Sequence, residues 1–179
     1  DVRSTYYLKR NISKRNLHDK KIKVGFIVFE PESWDKLHPL YEEMQRRQVF
    51  DLWLIIIPSF DNNLSLEKIY GYEKEYFEKH YQNIILAYNQ NGKTVNLDEY
   101  NFKYIFYQDP YNEHYPRSIR SYEVVKFATI CYVPYGYTIS TNFSDLLLNN
   151  RAFFRNVSLF FSENQSVSSN MKVVFGNNY

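Results

Sequence analysis

The sequence predicts an α/β domain whose mostly parallel sheet carries helices on both faces. Three observations predict it. Short runs of β-branched and aromatic residues alternate with stretches whose apolar residues recur at helical spacing. Several of the runs are apolar at every position, as in Leu52-Trp-Leu-Ile-Ile-Ile57, where a strand covered on one face would alternate. Turn residues such as Pro58, Asp61-Asn62-Asn63 and Asp109-Pro110 separate the two kinds of segment.

Taken in order, Lys21–Phe29 is the first strand, rich in Val, Ile and Phe. A helix should come next. Pro31 suits a first helical turn, Ser33 is a candidate cap, and Trp34, Leu37, Tyr41 and Met44 fall on one face through about residue 47. Leu52–Ile57 is the second strand, ended by Pro58. Beyond a polar loop, Ser65 can cap a helix whose broad apolar face is Leu66, Ile69, Tyr70, Tyr76, Phe77 and Tyr81. Asn83–Tyr88 is the third strand and Tyr104–Tyr107 the fourth, with a turn-rich Asn89–Lys93 and an unassigned Val95–Tyr100 between them. A short helix from Ser118 or Ser121 to Ala128 leads into a fifth strand at Ile130–Val133. A long amphipathic segment then buries Phe143, Leu146, Leu147, Phe153, Phe154, Val157 and Phe160, and Met171–Phe175 is the expected sixth strand. Strands separated by helices in this way make a Rossmann-like three-layer domain over residues 21–179, preceded by a basic segment, residues 1–20.

In open parallel sheets, ligands collect beyond the carboxyl ends of the strands. That rule singles out the strand-exit loops Glu30–Trp34, Pro58–Asn63, Gln108–Tyr115 and Pro134–Thr138.

Composition narrows the class. The chain's 18 Tyr and 14 Phe among 179 residues need a packed interior. One cysteine, Cys131, sits in an apolar run, where an inert buried thiol in a reducing compartment is expected. The longest apolar run, Leu52 to Pro58, falls far short of a membrane span, and no signal-peptide core is visible, so the chain is expected to be cytoplasmic. Residues 1–23 carry eight Lys/Arg against Asp1 and Asp19, leaving 14 basic and 18 acidic residues in the body. Such a leader can touch an anionic membrane surface, or be a solvated connector. An acidic body with its basic residues in one leader disfavours nucleic acid as a partner.

Several chemistries lack their residues. After the first strand stands Glu30-Pro31-Glu32 in place of a Gly-x-Gly-x-x-Gly loop, so no dinucleotide cofactor is expected. No Walker-A loop, no His-Glu-x-x-His and no cysteine pair with metal spacing occurs, so no metal is expected either. Of the four histidines, His18, His38, His80 and His114, only His114 lies in a polar strand-exit loop, Asp109-Pro-Tyr-Asn-Glu-His-Tyr-Pro116. Asp109, Glu113 and His114 are therefore candidate acid/base residues, although Asp109 and Asn112 also suit ordinary turn hydrogen bonds. Arg117 and Arg120, flanking the same loop, are candidate phosphate ligands or solvated side chains. Trp34 is a core residue of its helix or a stacking surface at the helix mouth, with Tyr111 a further candidate substrate contact.

Five stretches together resemble a known family: Lys23-Val-Gly-Phe-Ile-Val-Phe-Glu-Pro-Glu-Ser-Trp34, Phe106-Tyr-Gln-Asp-Pro-Tyr111, Cys131-Tyr-Val-Pro-Tyr-Gly-Tyr137, Asn150-Arg-Ala-Phe-Phe154 and Val173-Val-Phe-Gly176. They are similar to the N-terminal half of the CDP-glycerol glycerophosphotransferase family, the teichoic-acid-type polyol-phosphate transferases of cell-surface polymer synthesis. The resemblance implies a GT-B architecture. This chain would be its acceptor-side domain, inactive alone, facing a lipid-linked or polymer acceptor at the inner face of the membrane. CDP-glycerol would be held mainly by a C-terminal domain outside these residues. Polymerase members carry Trp-His-Gly-Thr after the fifth strand, where Pro134-Tyr135-Gly136-Tyr137 stands here. Tyr135 would occupy the place of a histidine proposed as the base, with Gly136 and Tyr137 beside the substrate. A tyrosine near pKa ~10 is a poor base at neutral pH. The base then lies elsewhere, with Asp109, Glu113 and His114 as candidates, or a different transfer is run. Half of a sugar-nucleotide glycosyltransferase is an alternative, as is a non-catalytic α/β binding module.

Overall fold

The computed structural model describes residues 21–58, 70–89, 91–134, 148–162, 165 and 169. The chain runs β1 (Ile22–Val28), α1 (Pro31–Trp34), α2 (His38–Arg46), β2 (Phe50–Ile56), α3 (Tyr72–His80) and β3 (Ile84–Leu86). It continues with β4 (Tyr104–Tyr107), α4 (Ser121–Val124), β5 (Thr129–Tyr132), α5 (Arg151–Phe154) and β6 (Val157–Phe160). Single 3-10 turns form at Leu97–Tyr100, Asn112–His114 and Arg117–Ile119. The strands form one six-stranded sheet in the order β3-β2-β1-β4-β5-β6, every pair parallel. This is the doubly wound Rossmann order, and it reverses between β1 and β4.

Strand alternation divides the interior into two cores. Val24, Phe26 and Val28 of β1 join Leu52, Leu54 and Ile56 of β2 against Trp34, Leu37, Tyr41 and Phe77 of the α1, α2 and α3 layer. Their neighbours Ile27, Ile55, Ile105, Tyr107 and Ile130 face the opposite layer, where Leu97, Ile119, Val124, Phe153 and Phe154 cover them. Burial on both faces is why these strands read as unbroken apolar runs. Gly25 of β1 permits a close approach: a Cβ there would lie 2.8 Å from Ile55 Cδ1, 3.4 Å from Phe102 and 3.5 Å from Ile105. Gly25→Ala is expected to cost about 1 kcal/mol through overpacking, read as a lower urea midpoint at unchanged slope.

Two sequence expectations are corrected. The helix after β1 is not continuous: α1 ends at Trp34 and α2 begins at His38, with a turn at residues 35–37. Pro39 is the cause, because it has no N–H for the Asp35 carbonyl and its ring crowds that carbonyl. Ser33 is no cap either, since its hydroxyl donates to the Glu30 carbonyl at 2.9 Å. The second correction concerns Val157 and Phe160, expected on a long amphipathic segment. They belong to β6, parallel to β5, with a register shift between Ile130 and Cys131. A bulge of this kind lets residues three apart face one side, so Val157 and Phe160 both pack beside Tyr132 and Phe154. The expected strand Met171–Phe175, the cap at Ser65 with Leu66 and Ile69, and Phe143, Leu146 and Leu147 lie outside the described residues, as does the basic segment 1–20.

Two further helices are shorter than expected: the one expected to carry Tyr70, Tyr76, Phe77 and Tyr81 spans only Tyr72–His80 among the described residues, with Tyr70 outside it and Tyr76 exposed, and the one expected to reach Ala128 ends at Val124. α3 opens at Gly71, whose N–H donates to the buried Glu73 carboxylate at 2.8 Å, and it buries Phe77. Asn89–Lys93 closes a turn with Gly92 at φ 70, and Tyr88 bridges Thr94 antiparallel. No described helix is long and apolar enough to cross a membrane.

Candidate functional site

The reversal of strand order places the exits of β1 and β4 side by side. β1 runs out into Phe29 and Glu30 and turns at once into α1, and β4 runs out into Gln108 and Asp109. One partly buried hydrogen bond ties the two exits: Gln108 Nε2 donates to the Ser33 carbonyl at 2.7 Å. Gln108 is 1% exposed, and its Oε1 has no hydrogen-bond partner among the described residues.

Pro110 stops β4, and Asp109 organises the loop beyond it. The Asp109 Oδ1 accepts from the Tyr111 backbone N–H at 2.7 Å, which folds the loop back as an Asx turn. The 3-10 turn Asn112–His114 then closes, with the His114 N–H on the Tyr111 carbonyl at 3.0 Å. That turn returns the His114 imidazole to Asp109, Nδ1 lying 2.5 Å from Oδ2. The base of the loop is fixed from below. The hydroxyl of buried Tyr115 donates to the Asp109 carbonyl at 2.6 Å, and its ring sits edge-on to Tyr107 at 5.2 Å. The Asn112 side-chain oxygen accepts from the Ser121 N–H at 2.9 Å, and Arg120 Nε donates to the Tyr115 carbonyl at 3.0 Å.

The electrostatics arise from this packing. The Asp109 side chain is only 13% exposed, and burial raises its pKa above the usual carboxylate value. The Tyr111 N–H and His114 oppose that shift, and the negative charge of Glu113 adds to it. A carboxylate facing Nδ1 needs a donor there, which assigns the proton of a neutral imidazole to Nδ1 and leaves Nε2 a bare acceptor. The His114 side chain is 50% exposed, so Nε2 is within reach of a ligand. An oriented, carboxylate-backed imidazole can take a proton from a hydroxyl. Tyr111 stands beside it, ring centroids 5.1 Å apart.

The structure thus brings Asp109, His114 and Tyr111 together, with exposed Glu113 acting on Asp109 by charge. It separates the others. Trp34 is 1% exposed, edge-on to Phe26, Tyr41, Phe77 and Tyr81, with its Nε1 donating to the Tyr81 hydroxyl at 2.7 Å. It is a core residue. Arg120 is a loop anchor that also reaches the Tyr122 hydroxyl at 3.4 Å. Arg117 borders a different cleft, with Glu123 and Lys126. Tyr135, Gly136 and Tyr137 lie outside the described residues.

Sequence reasoning passed over Gln108 and Tyr115. The signal for Gln108 was present, a polar residue directly continuing the apolar strand Tyr104–Tyr107. Nothing in the spacing marked Tyr115 as the buried support of Asp109. Among the described residues no group of three His, Cys, Asp or Glu comes together to hold a metal ion. No family model, no curated protein and no solved structure matches this chain.

Proposed function

We propose that this chain is the acceptor-side domain of a transferase of the CDP-glycerol glycerophosphotransferase type, with Asp109 and His114 as its base. The observation that carries the reading is the 2.5 Å Asp109–His114 contact at the point where strand order reverses, with the imidazole half exposed. His114 Nε2 accepts the proton of an acceptor hydroxyl as that oxygen attacks the β-phosphorus of CDP-glycerol. A new P–O bond forms, the bond from that phosphorus to the bridging oxygen breaks, and CMP leaves with the electron pair. Asp109 holds the imidazole in the Nδ1–H tautomer and stabilises the imidazolium. The donor nucleotide is bound by a separate domain, consistent with the acidic Glu30-Pro-Glu32 at the β1 exit in place of a glycine loop. The acceptor is lipid-linked or polymeric, and the domain works at the membrane surface.

Transfer of labelled glycerol phosphate from CDP-glycerol to a lipid-linked acceptor, measured with the natural full-length protein, tests this. Asp109→Asn is expected to lower the rate about 10⁴-fold, because the amide would donate to Nδ1 and move the imidazole proton to Nε2. Parental rates in that variant, or transfer from a sugar nucleotide and not from CDP-glycerol, would overturn the proposal.

A further inference from the structure

A cavity of about 570 Å3 opens at the other end of the sheet, bordered by Phe50, Asp51 and Leu52 where β2 begins and by Gln82 and Asn83 just before β3. Its volume falls in the range of small-molecule sites. The local sequence builds its walls. α2 ends in Arg46, and Gln48 takes the left-handed conformation, φ 57, that helix ends usually give to glycine. Gln48 therefore borders the cavity together with Gln45. From α3, His80 fixes its ring by Nδ1 on the Tyr76 carbonyl at 2.7 Å and lies tilted against the Tyr76 ring, centroids 4.5 Å apart.

The unused hydrogen-bonding groups define a ligand. Tyr81 Oη accepts from Trp34 Nε1 at 2.7 Å, which leaves the phenolic hydrogen to donate. Asn83 spends its Nδ2 on the Leu52 carbonyl at 3.0 Å, which leaves its Oδ1 to accept. The side-chain amides of Gln45 and Gln82 have no partner among the described residues. Among the aromatic lining residues, His38 and Tyr81 lie with ring centroids 6.5 Å apart and edge-on to each other. The described lining holds Lys21 against Glu42 and Asp51 and no arginine, so an anion gains no bidentate partner there. Neutral amides and phenols pair with hydroxyl groups in either sense, and ring faces accept the apolar side of a cyclic ligand.

We infer that this cavity is a saccharide site, taking a short, neutral oligosaccharide. It is independent of the Asp109–His114 dyad. Saturation-transfer NMR of the whole chain with maltotriose tests it, and binding with a Kd of about 1 mM is expected. A double variant, Gln45→Ala with Gln82→Ala, removes two exposed side chains that hold no other described group, and should weaken binding about tenfold at unchanged Tm. His114→Ala should leave it unchanged. Absence of saturation transfer to maltotriose, parental affinity in the double variant, displacement by inorganic phosphate or CMP, or equal binding of acyclic ribitol would each overturn the assignment.

Discussion

His114→Ala is expected to lower the proposed glycerol-phosphate transfer of the full-length protein by about 10²- to 10⁴-fold, the range for losing a positioned general base. The ring is half exposed and is held, among the described residues, by Asp109 and against Tyr111, so folding should scarcely notice. Thermal unfolding alongside the rate assay separates the two. A parental rate in the folded variant would remove His114 from the chemistry. Asp109 supplies a matching signature in stability. Its pKa is raised in the folded chain, chiefly by burial, so its ionised form is less favoured folded than unfolded. Its contribution is fully present at acid pH, below the ordinary carboxylate value, and is lost as pH rises through the raised folded value. Asp109→Asn should then unfold at the same or a higher temperature than the parent at neutral pH, and lose that advantage in acid. A residue that costs stability where it works is the pattern of a site kept for function.

Trp34→Ala is expected to destabilise the chain by about 3–5 kcal/mol, a large part of the ~5–15 kcal/mol that holds an ordinary domain together. The indole fills the junction of α1, α2 and α3 against Phe26, and its removal also leaves the Tyr81 hydroxyl without its donor. Denaturant unfolding reads the loss. Trp34→Phe keeps most of the packing and should lose only about 1 kcal/mol with the hydrogen bond. If Trp34→Ala kept its denaturation midpoint while acceptor binding fell, the indole would be a ligand surface after all.

How far the sequence carried depends on which signal each element used. β1, β2, β4 and β5 were legible because burial on both faces writes itself as unbroken apolar runs. β6 was not, since its bulge gives Val157 and Phe160 the spacing of a helix. The broken helix kept its buried face, Trp34, Leu37 and Tyr41, and only Pro39 announced the break. Within the site, the rule for strand exits reached Asp109 and His114 without any knowledge of their contact. It gave no guidance on Arg117 and Arg120, three residues apart, because a 3-10 turn between them sends one to a separate cleft and the other back to the Tyr115 carbonyl.

The strand order has a consequence for how the chain reaches this structure. β1, β2 and β3 lie together and come from one continuous stretch, and β4, β5 and β6 from the next. The seam pairs Val24 with Tyr104, a long closure and the slowest kind of contact to establish. The Gln108–Ser33 bond crosses that seam, so the tie between the β1 and β4 exits exists only in molecules whose halves have met. A nascent or half-folded chain carries Asp109 and His114 without the β1 exit that the finished sheet sets beside them.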